Sequence, residues 1–260
     1  MKIIKSLIKN TPLEPFARSL NGYFMNDWRY TKVDHGYKHI VVACFPKSGS
    51  TYTSNVLSNV QGLKKVSLVP GYRRREQELD LNALIRLKNK NYVAQHHLKL
   101  SDTTEEIIKK FRLTPIVLTR NIFDIIISFK DHIRKEPKNL YTSMAFISDH
   151  LLKLDDPDLE LALAELLSPW YFNFFVSWSE YPHKLHMTYE QLITDKNRFF
   201  EEIFDYCGID SKLIVSDTQI FENKGQNSRF NKGIVGRGEK LDSRAKDHIL
   251  KISKYYPGVN

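Results

Sequence analysis

The segment from Ile40 to Val60 constrains the fold more than any other part of the chain. It begins with a continuous apolar run, Ile40 to Phe45, whose length and β-branched content are typical of a buried parallel strand. Pro46 to Thr51 interrupts this run with a turn-forming proline and glycine among small hydroxyl residues. Apolar residues then return at helical spacing, so the sequence predicts a strand, a tight loop and a helix. Such a loop gathers free backbone N–H groups and the positive end of a helix, which favours an anion, above all a phosphate.

The loop also carries a lysine, but not where the common nucleotide-triphosphate loop has it. That loop has the pattern G-x-x-x-x-G-K-[ST], with its lysine at the helix start. Here Lys47 precedes the single glycine, Gly49. Loops of this composition also occur without a ligand, as plain strand-to-helix turns with a surface lysine. The rest of the chain has to distinguish these two interpretations.

Length and composition are those of an ordinary globular domain. The chain has 260 residues, of which 42% are hydrophobic and 27% charged. This length predicts one domain over residues 1–260, and no apolar run approaches the roughly 20 residues of a transmembrane segment. Cys44 and Cys207 are too few and too far apart for a disulfide framework or a zinc site. We therefore expect two buried thiols and a reducing compartment, the cytoplasm.

The charge of the chain points to an anionic ligand. A formal net charge of +9 favours polyanions. Nucleic acid is one such partner, but the basic residues are spread along the chain without a nucleic-acid-binding motif. We interpret the charge as a contribution to nucleotide binding and expect no nucleic-acid partner.

Strand and helix patterns alternate after the loop, which predicts parallel βαβ units. The predicted strands are Tyr92–Leu98 and Pro115–Thr119, and the predicted helices are Leu79–Leu87, Thr103–Phe111 and Ile122–Arg134, with Asp102 or Thr103 capping the second of them. Ligands of such sheets bind at the carboxyl ends of the strands. The loop at Lys47, the pair His96-His97 and Arg120 all lie at the carboxyl ends of predicted strands, so we expect them to converge on one crevice.

The second half of the chain has a different pattern. Leucines and then aromatic residues dominate residues 140–181, which predicts two packed helices as an elaboration of the domain. Such a stripe is usually helical core, although part of it could line an apolar acceptor pocket. The remaining predicted elements are a short strand at Leu185–Glu190, a helix at Gln191–Cys207 ended by Gly208, a basic glycine-containing loop at Phe221–Lys240 and a last helix at Leu241–Tyr256.

Two motifs resemble those of the sulfotransferases that use 3′-phosphoadenosine 5′-phosphosulfate (PAPS) as sulfuryl donor. Phe45 to Tyr52 resembles their 5′-phosphosulfate loop, P-K-S-G-T-T-W, and Arg120 to Ser128 matches the segment R-N-x-x-D-x-x-x-S that binds the 3′-phosphate. The resemblance implies that the donor is bound by Lys47, Ser48, Gly49, Ser50, Thr51, Tyr52, Arg120 and Ser128. Because both motifs occur in the family's order, the chain is identified as a member of it.

Two weaker segments extend the resemblance. Tyr189 opens a stretch similar to the family's Y-E-[DQ]-L, which implies contact with the adenine, although a buried core tyrosine is an equally good interpretation of the residue alone. Residues 231–236 resemble the loop R-K-G-x-x-G that closes over the 3′-phosphate, which implies that Asn231, Lys232 and Gly233 bind the donor. Asn231 replaces the usual arginine, whose role could pass to Arg229 or Arg237.

The chemistry of sulfuryl transfer assigns two catalytic roles. Negative charge builds on the leaving phosphate oxygen, where Lys47 and the loop N–H groups would stabilise it. The acceptor hydroxyl must lose a proton, and histidine is the usual base. His97 corresponds to the histidine of the family's H-L-P segment, with Lys99 in place of the proline, whereas His96 faces the other side of a regular strand. No metal is needed for this chemistry.

The sequence thus predicts an α/β fold with a central parallel sheet flanked by helices, a P-loop NTPase-like sulfotransferase fold. The predicted function is transfer of a sulfuryl group from PAPS to a hydroxyl group, with PAP (adenosine 3′,5′-bisphosphate) as product. The acceptor and the oligomeric state are left open, since small-molecule, lipid and saccharide hydroxyls all fit. Two alternatives also remain open: a P-loop-like kinase that uses Lys47 on ATP, and a non-catalytic binder of 3′-phosphorylated nucleotides.

Overall fold

The computed structural model describes residue 28 and residues 31–70, 77–135, 144–210 and 233–259. Five strands and eight α-helices lie in these ranges. The strands are β1 (His39–Cys44), β2 (Lys64–Val66), β3 (Tyr92–His96), β4 (Leu113–Thr119) and β5 (Leu185–Thr188). The helices are α1 (Ser50–Ser58), α2 (Leu81–Leu87), α3 (Asp102–Phe111), α4 (Ile122–Lys135), α5 (Asp156–Ser179), α6 (Tyr189–Thr194), α7 (Lys196–Cys207) and α8 (Ser243–Ser253). Within these ranges no helix combines the length and apolar character that a membrane span requires.

The five strands form one parallel sheet in the order β2-β3-β1-β4-β5. The central strand β1 pairs Ala43 with His96 on one side and with Val117 on the other. The segments that follow β1, β3 and β4 therefore leave the same edge of the sheet side by side. This confirms the predicted parallel architecture and places the loop at Lys47 between the other two predicted site segments.

Helices cover both faces of the sheet, because β1 is apolar on both sides. Ile40, Val42 and Cys44 pack against α1, α6 and α7, whereas Val41 and Ala43 face the side covered by α2, α3, α4, α5 and α8. All six residues of β1 are buried, which explains why the strand appears in the sequence as a continuous apolar run and not as an alternating one.

The prediction of two packed helices within residues 140–181 is wrong for the described part of that range. A short 3₁₀ helix, Asp149–Lys153, is followed by the single 24-residue helix α5. Pro169 lies inside α5 without ending it. The helix is apolar on more than one face because it packs on α4 and α8 and contacts the segments that follow β1 and β3. Its leucine and aromatic clusters therefore belong to one element.

Capping explains the other differences. The predicted helix Gln191–Cys207 is two helices, since Asp195 ends α6 and its side chain accepts the Arg198 N–H to begin α7. Ser101, and not Asp102 or Thr103, caps α3 by accepting the Thr104 N–H.

Gly208 ends α7 in the left-handed conformation, as predicted. Strand β2 has only three residues and two exposed lysines, so it carries no sequence pattern that could have predicted it.

Both cysteines are free and buried, as expected, and their reactivity tests the packing of this core. Burial raises the pKa of Cys207 to about 12. At pH 8 such a thiol holds on the order of 1000-fold less thiolate than an ordinary one with a pKa of about 8.5. We expect negligible alkylation of native protein by iodoacetamide at this pH, and two labelled thiols in urea, both counted by mass spectrometry. Labelling of native Cys207 at the rate of an exposed thiol would contradict the packing of α7 on the sheet.

Candidate active site

The loop between β1 and α1 has the backbone geometry of an anion site. Lys47 is left-handed with φ 68°, a conformation that costs a residue with a side chain about 1–2 kcal/mol. Gly49 is also left-handed, at φ 80° and ψ 8°, and caps α1 without a side-chain hydrogen bond to its N–H groups. These turns direct the first N–H groups of α1 toward the carboxyl edge of the sheet, where a bound phosphate would satisfy them.

The serines of the loop have different roles. Ser48 is fully buried, and its hydroxyl donates to the Phe45 carbonyl at 2.6 Å, so only its backbone N–H remains to meet an anion. Ser50 accepts a 2.9 Å hydrogen bond from Gln95 Nε2. The single hydroxyl hydrogen of Ser50 therefore points away from Gln95 and is available to a ligand. The sequence motifs did not single out Gln95. It lies two residues before His97, and residues two apart along an extended strand point to the same face.

Arg120 joins the end of β4 to the loop. Its Nη1 donates to the Lys47 carbonyl at 3.0 Å, and its Nη2 donates to the Asp124 carboxylate at 3.3 Å and to the Ile234 carbonyl at 3.2 Å. The residue is 8% exposed, and its Nε is buried and makes no hydrogen bond within the described part of the chain. A buried donor without an acceptor is costly, so this Nε–H is suited to an anion that enters the site.

Tyr189 packs between Arg120 and the loop. The Arg120 guanidinium carbon lies 4.1 Å from the centre of the tyrosine ring, a cation–π arrangement. On the other side, a Cβ added to Gly49 would lie 3.0 Å from Tyr189 Cδ2. Tyr189 is 5% exposed, and burial raises its pKa. The residue thus packs against one residue of each of the two sequence motifs, Arg120 and Gly49, and its predicted contact with the adenine stays a prediction.

His96 is the last residue of β3 and His97 comes directly after it, so their side chains point to opposite faces of the strand. His96 is 1% exposed at the end of β3. His97 is partly exposed, and its Nδ1 lies 3.0 Å from the Cys44 carbonyl and 3.5 Å from the Cys44 thiol. A carbonyl only accepts hydrogen bonds, so Nδ1 carries the proton of the neutral ring and Nε2 is its basic nitrogen. The predicted convergence at this edge is therefore present: His97 contacts the end of β1, and Arg120 contacts the loop after it.

The remaining predicted site residues lie on helices α1 and α4, in the segment that begins at Gly233, or outside the described residues. Ser128 is buried on α4 with 1% exposure, and Tyr52 on α1 packs edge-on against Phe200. Gly233 is left-handed with φ 62°. Asn231, Lys232 and Arg229 lie outside the described residues. Arg237, one of the two candidates to replace the missing arginine, donates to Asp131 on α4 at 2.6 Å.

Helix α5 reaches the loop through Tyr171, which the sequence analysis treated only as part of an aromatic stripe. Its hydroxyl donates to the Pro46 carbonyl at 3.3 Å, and its ring meets Phe45 edge-on at 4.8 Å. Tyr171 has no exposed surface, and burial raises its pKa well above the usual value. Because the hydroxyl stays protonated, it can only act as a hydrogen-bonding group that holds the first residue of the loop.

The parallel sheet, the loop after its central strand and the helix behind that loop define a P-loop-like α/β protein. The sulfotransferase domain family matches residues 37–246, and the chain belongs to this family. The identification made from the two motifs is thereby confirmed.

Solved structures agree in fold. The chain resembles mouse sulfotransferase SULT7A1 complexed with PAP, with a TM-score of 0.62, 17% identity and 84% of each chain covered. It also resembles retinol dehydratase in complex with androsterone and the inactive cofactor PAP, with a TM-score of 0.56, 15% identity, and 89% of this chain and 84% of that chain covered. Comparison with curated protein sequences gave no match.

Replacing Gly49 tests the contact between the loop and Tyr189. Gly49→Ala should destabilise the protein more than Gly62→Ala, as measured by urea unfolding. Both glycines are left-handed, at φ 80° and 86°, so both variants carry the same backbone cost of about 1–2 kcal/mol. Only at Gly49 would the new methyl meet Tyr189 and Leu192, whereas nothing lies within 4 Å of it at Gly62. Equal losses in the two variants would show that the loop does not rest on Tyr189.

Proposed function

We propose that this sulfotransferase transfers the sulfuryl group of PAPS to a hydroxyl group of a small-molecule, lipid or saccharide acceptor. In this reaction the bond between sulfur and the 5′-phosphate oxygen breaks, and the acceptor oxygen bonds to sulfur. The acceptor proton passes to a base on the protein, and PAP leaves. Residues 1–260 act as one sulfotransferase domain. The proposed compartment is the cytoplasm, where the free thiols Cys44 and Cys207 remain reduced.

The observation that carries this proposal is the buried Arg120 with its Nε–H unpaired within the described residues. A planar guanidinium next to the phosphate loop suits a second phosphate group on the same nucleotide. Ser128 lies two turns further along α4 and contributes a hydroxyl to the same phosphate. A kinase acting on ATP has no use for this second anion site, which is why the 3′-phosphorylated donor fits better.

Lys47 and the first turn of α1 stabilise the negative charge of the 5′-phosphate and of its leaving oxygen. The N–H groups of Ser48, Gly49, Ser50 and Thr51 and the Lys47 ammonium bind the 5′-phosphate in the ground state. They bind it more tightly as the leaving oxygen gains charge, which is the condition for catalysis. Tyr52, Tyr189, Lys232, Asn231 and Gly233 complete the proposed donor site.

His97 is the proposed base. With its Nδ1 proton held by the Cys44 carbonyl, its Nε2 takes the proton of the acceptor hydroxyl. The imidazolium formed keeps the same hydrogen bond at Nδ1, so the ring does not have to turn during the reaction.

The donor can be tested by binding alone. PAP should raise the melting temperature well above the effect of AMP, because only PAP carries the phosphate that Arg120 and Ser128 are proposed to bind. The shift should be the same with magnesium chloride and with EDTA. Equal stabilisation by AMP would remove the role of the second motif, and a strict magnesium requirement would favour a kinase.

The roles of His97 and Lys47 can be separated by measuring turnover with labelled PAPS and affinity for PAP. His97→Ala should lose about 100-fold or more of the turnover, the usual contribution of a general base, while binding PAP normally. Lys47→Ala should lose both affinity and turnover, because its charge meets the phosphate before and during the reaction.

His96→Ala is the matched control, on the other face of the strand. Since His96 is 1% exposed, the melting temperature of the His96→Ala protein has to be measured alongside its activity. Loss of turnover in a folded His96→Ala protein, with turnover kept in His97→Ala, would reverse the assignment. Full activity in both would mean that the acceptor reacts without a histidine, as an acidic phenol-type hydroxyl can. Normal PAP binding without turnover on any hydroxyl acceptor would favour the non-catalytic binder.

A further inference from the structure

Asp124, in the first turn of α4, is a buried carboxylate that holds two distant parts of the chain. Its side chain is 2% exposed. One oxygen accepts the Gly238 N–H at 2.7 Å, and the other accepts the Gly236 N–H at 3.0 Å and the Arg120 Nη2 at 3.3 Å. Two of its three partners, Gly236 and Gly238, lie more than a hundred positions away along the chain, so the short motif around Arg120 gave this aspartate no role.

The turn that Asp124 holds is also fixed to the start of α4 by packing. Gly238 lies so close to this helix that an added Cβ would be 2.3 Å from Phe123 Cβ and 2.9 Å from the Asp124 backbone nitrogen. No side chain fits there, so the backbone itself lies against the helix. We call residues Gly233–Gly238 the anchored turn.

The anchored turn also contacts Arg120. The Ile234 carbonyl accepts a hydrogen bond from Arg120 Nη2 at 3.2 Å, so both hydrogens of that nitrogen are used, one by Ile234 and one by Asp124. The Lys47 carbonyl uses one hydrogen of Nη1. Within the described residues, the donors of Arg120 left for a ligand are Nε–H and the second hydrogen of Nη1.

We propose that Asp124 is a positioning residue that makes the protein selective for a 3′-phosphorylated nucleotide. It acts on Arg120 directly, and a second time through the anchored turn and the Ile234 carbonyl, so that Nε–H and the second Nη1 hydrogen are the guanidinium donors presented to the 3′-phosphate. This inference rests on the proposed function and deepens it. A merely structural ion pair would stabilise the fold but would affect PAP and AMP equally.

The variant Asp124→Asn tests this role at nearly unchanged size. An amide has one oxygen, so one of the two glycine N–H groups would face an NH₂ group, and the bond on that side is lost. We expect the ratio of the AMP and PAP dissociation constants, measured by calorimetry, to fall at least about tenfold, with AMP affinity changed less than about threefold. The Gly236 and Gly238 amides should also exchange hydrogen faster.

Asp131→Asn is the matched control on the same helix. Asp131 pairs with Arg237 of the anchored turn, but it is not among the hydrogen-bond partners of Arg120 or of the Gly236 and Gly238 amides. This variant should keep the wild-type selectivity for PAP. Selectivity that survives Asp124→Asn, or falls equally in Asp131→Asn, would overturn the proposed role.

A measurement on the unaltered protein covers the case in which Asp124→Asn fails to fold. PAP should slow hydrogen exchange at the Gly236 and Gly238 amides, and AMP should not, because only the 3′-phosphate engages Arg120 and the groups bound to it. Equal protection by both nucleotides would overturn the proposal. Wild-type protein that binds PAP and AMP with equal affinity would instead overturn the proposed donor itself, and the role of Asp124 with it.

Discussion

The Arg120 guanidinium carries a permanent positive charge, and only 5% of its side chain is exposed to solvent. Such a charge is tolerated only if it is paired and hydrogen-bonded, and removing one partner of a buried pair costs about 3–5 kcal/mol. Asp124, two backbone carbonyls and the face of Tyr189 provide that environment. Because each partner comes from a different segment, burial of this one charge requires the loop, β4, α4, α6 and the anchored turn to come together.

The parallel sheet makes that meeting possible. With β1 in the centre and β3 and β4 beside it, the loop at Lys47, His97 and Arg120 leave neighbouring strands at one edge. The proposed base and the proposed phosphate ligands are then set by strand register, not by flexible connections. Tyr171 and Gln95 add a second set of restraints, since each binds a loop residue from an element on a different side. A site held this way keeps its donors in place before the substrate arrives, which is the arrangement electrostatic catalysis needs.

Sequence patterns predicted the parts of this structure that depend on local composition. The apolar run of β1, the left-handed glycine ending α7 and the loop with its lysine are local features, and the structure has them where the sequence placed them. The two-helix interpretation of residues 140–181 failed because a long helix that packs on several neighbours loses the one-sided pattern that marks helix boundaries. Strand β2 was missed because three residues at a sheet edge carry no period.

The sequence by itself determined the family, the α/β class and the residues that carry the two donor motifs, because these depend on short stretches whose spacing along the chain is the signal. Only the tertiary structure decided which groups those residues bind. Arg120 uses both Nη2 hydrogens and one Nη1 hydrogen on the protein, while its Nε–H makes no hydrogen bond within the described residues. Tyr189 packs against Gly49, and Asp124 holds Gly236 and Gly238. These arrangements depend mainly on contacts between residues far apart in the chain. Such contacts are fixed by packing and by the need to satisfy buried polar groups, and neither leaves a pattern in the local sequence.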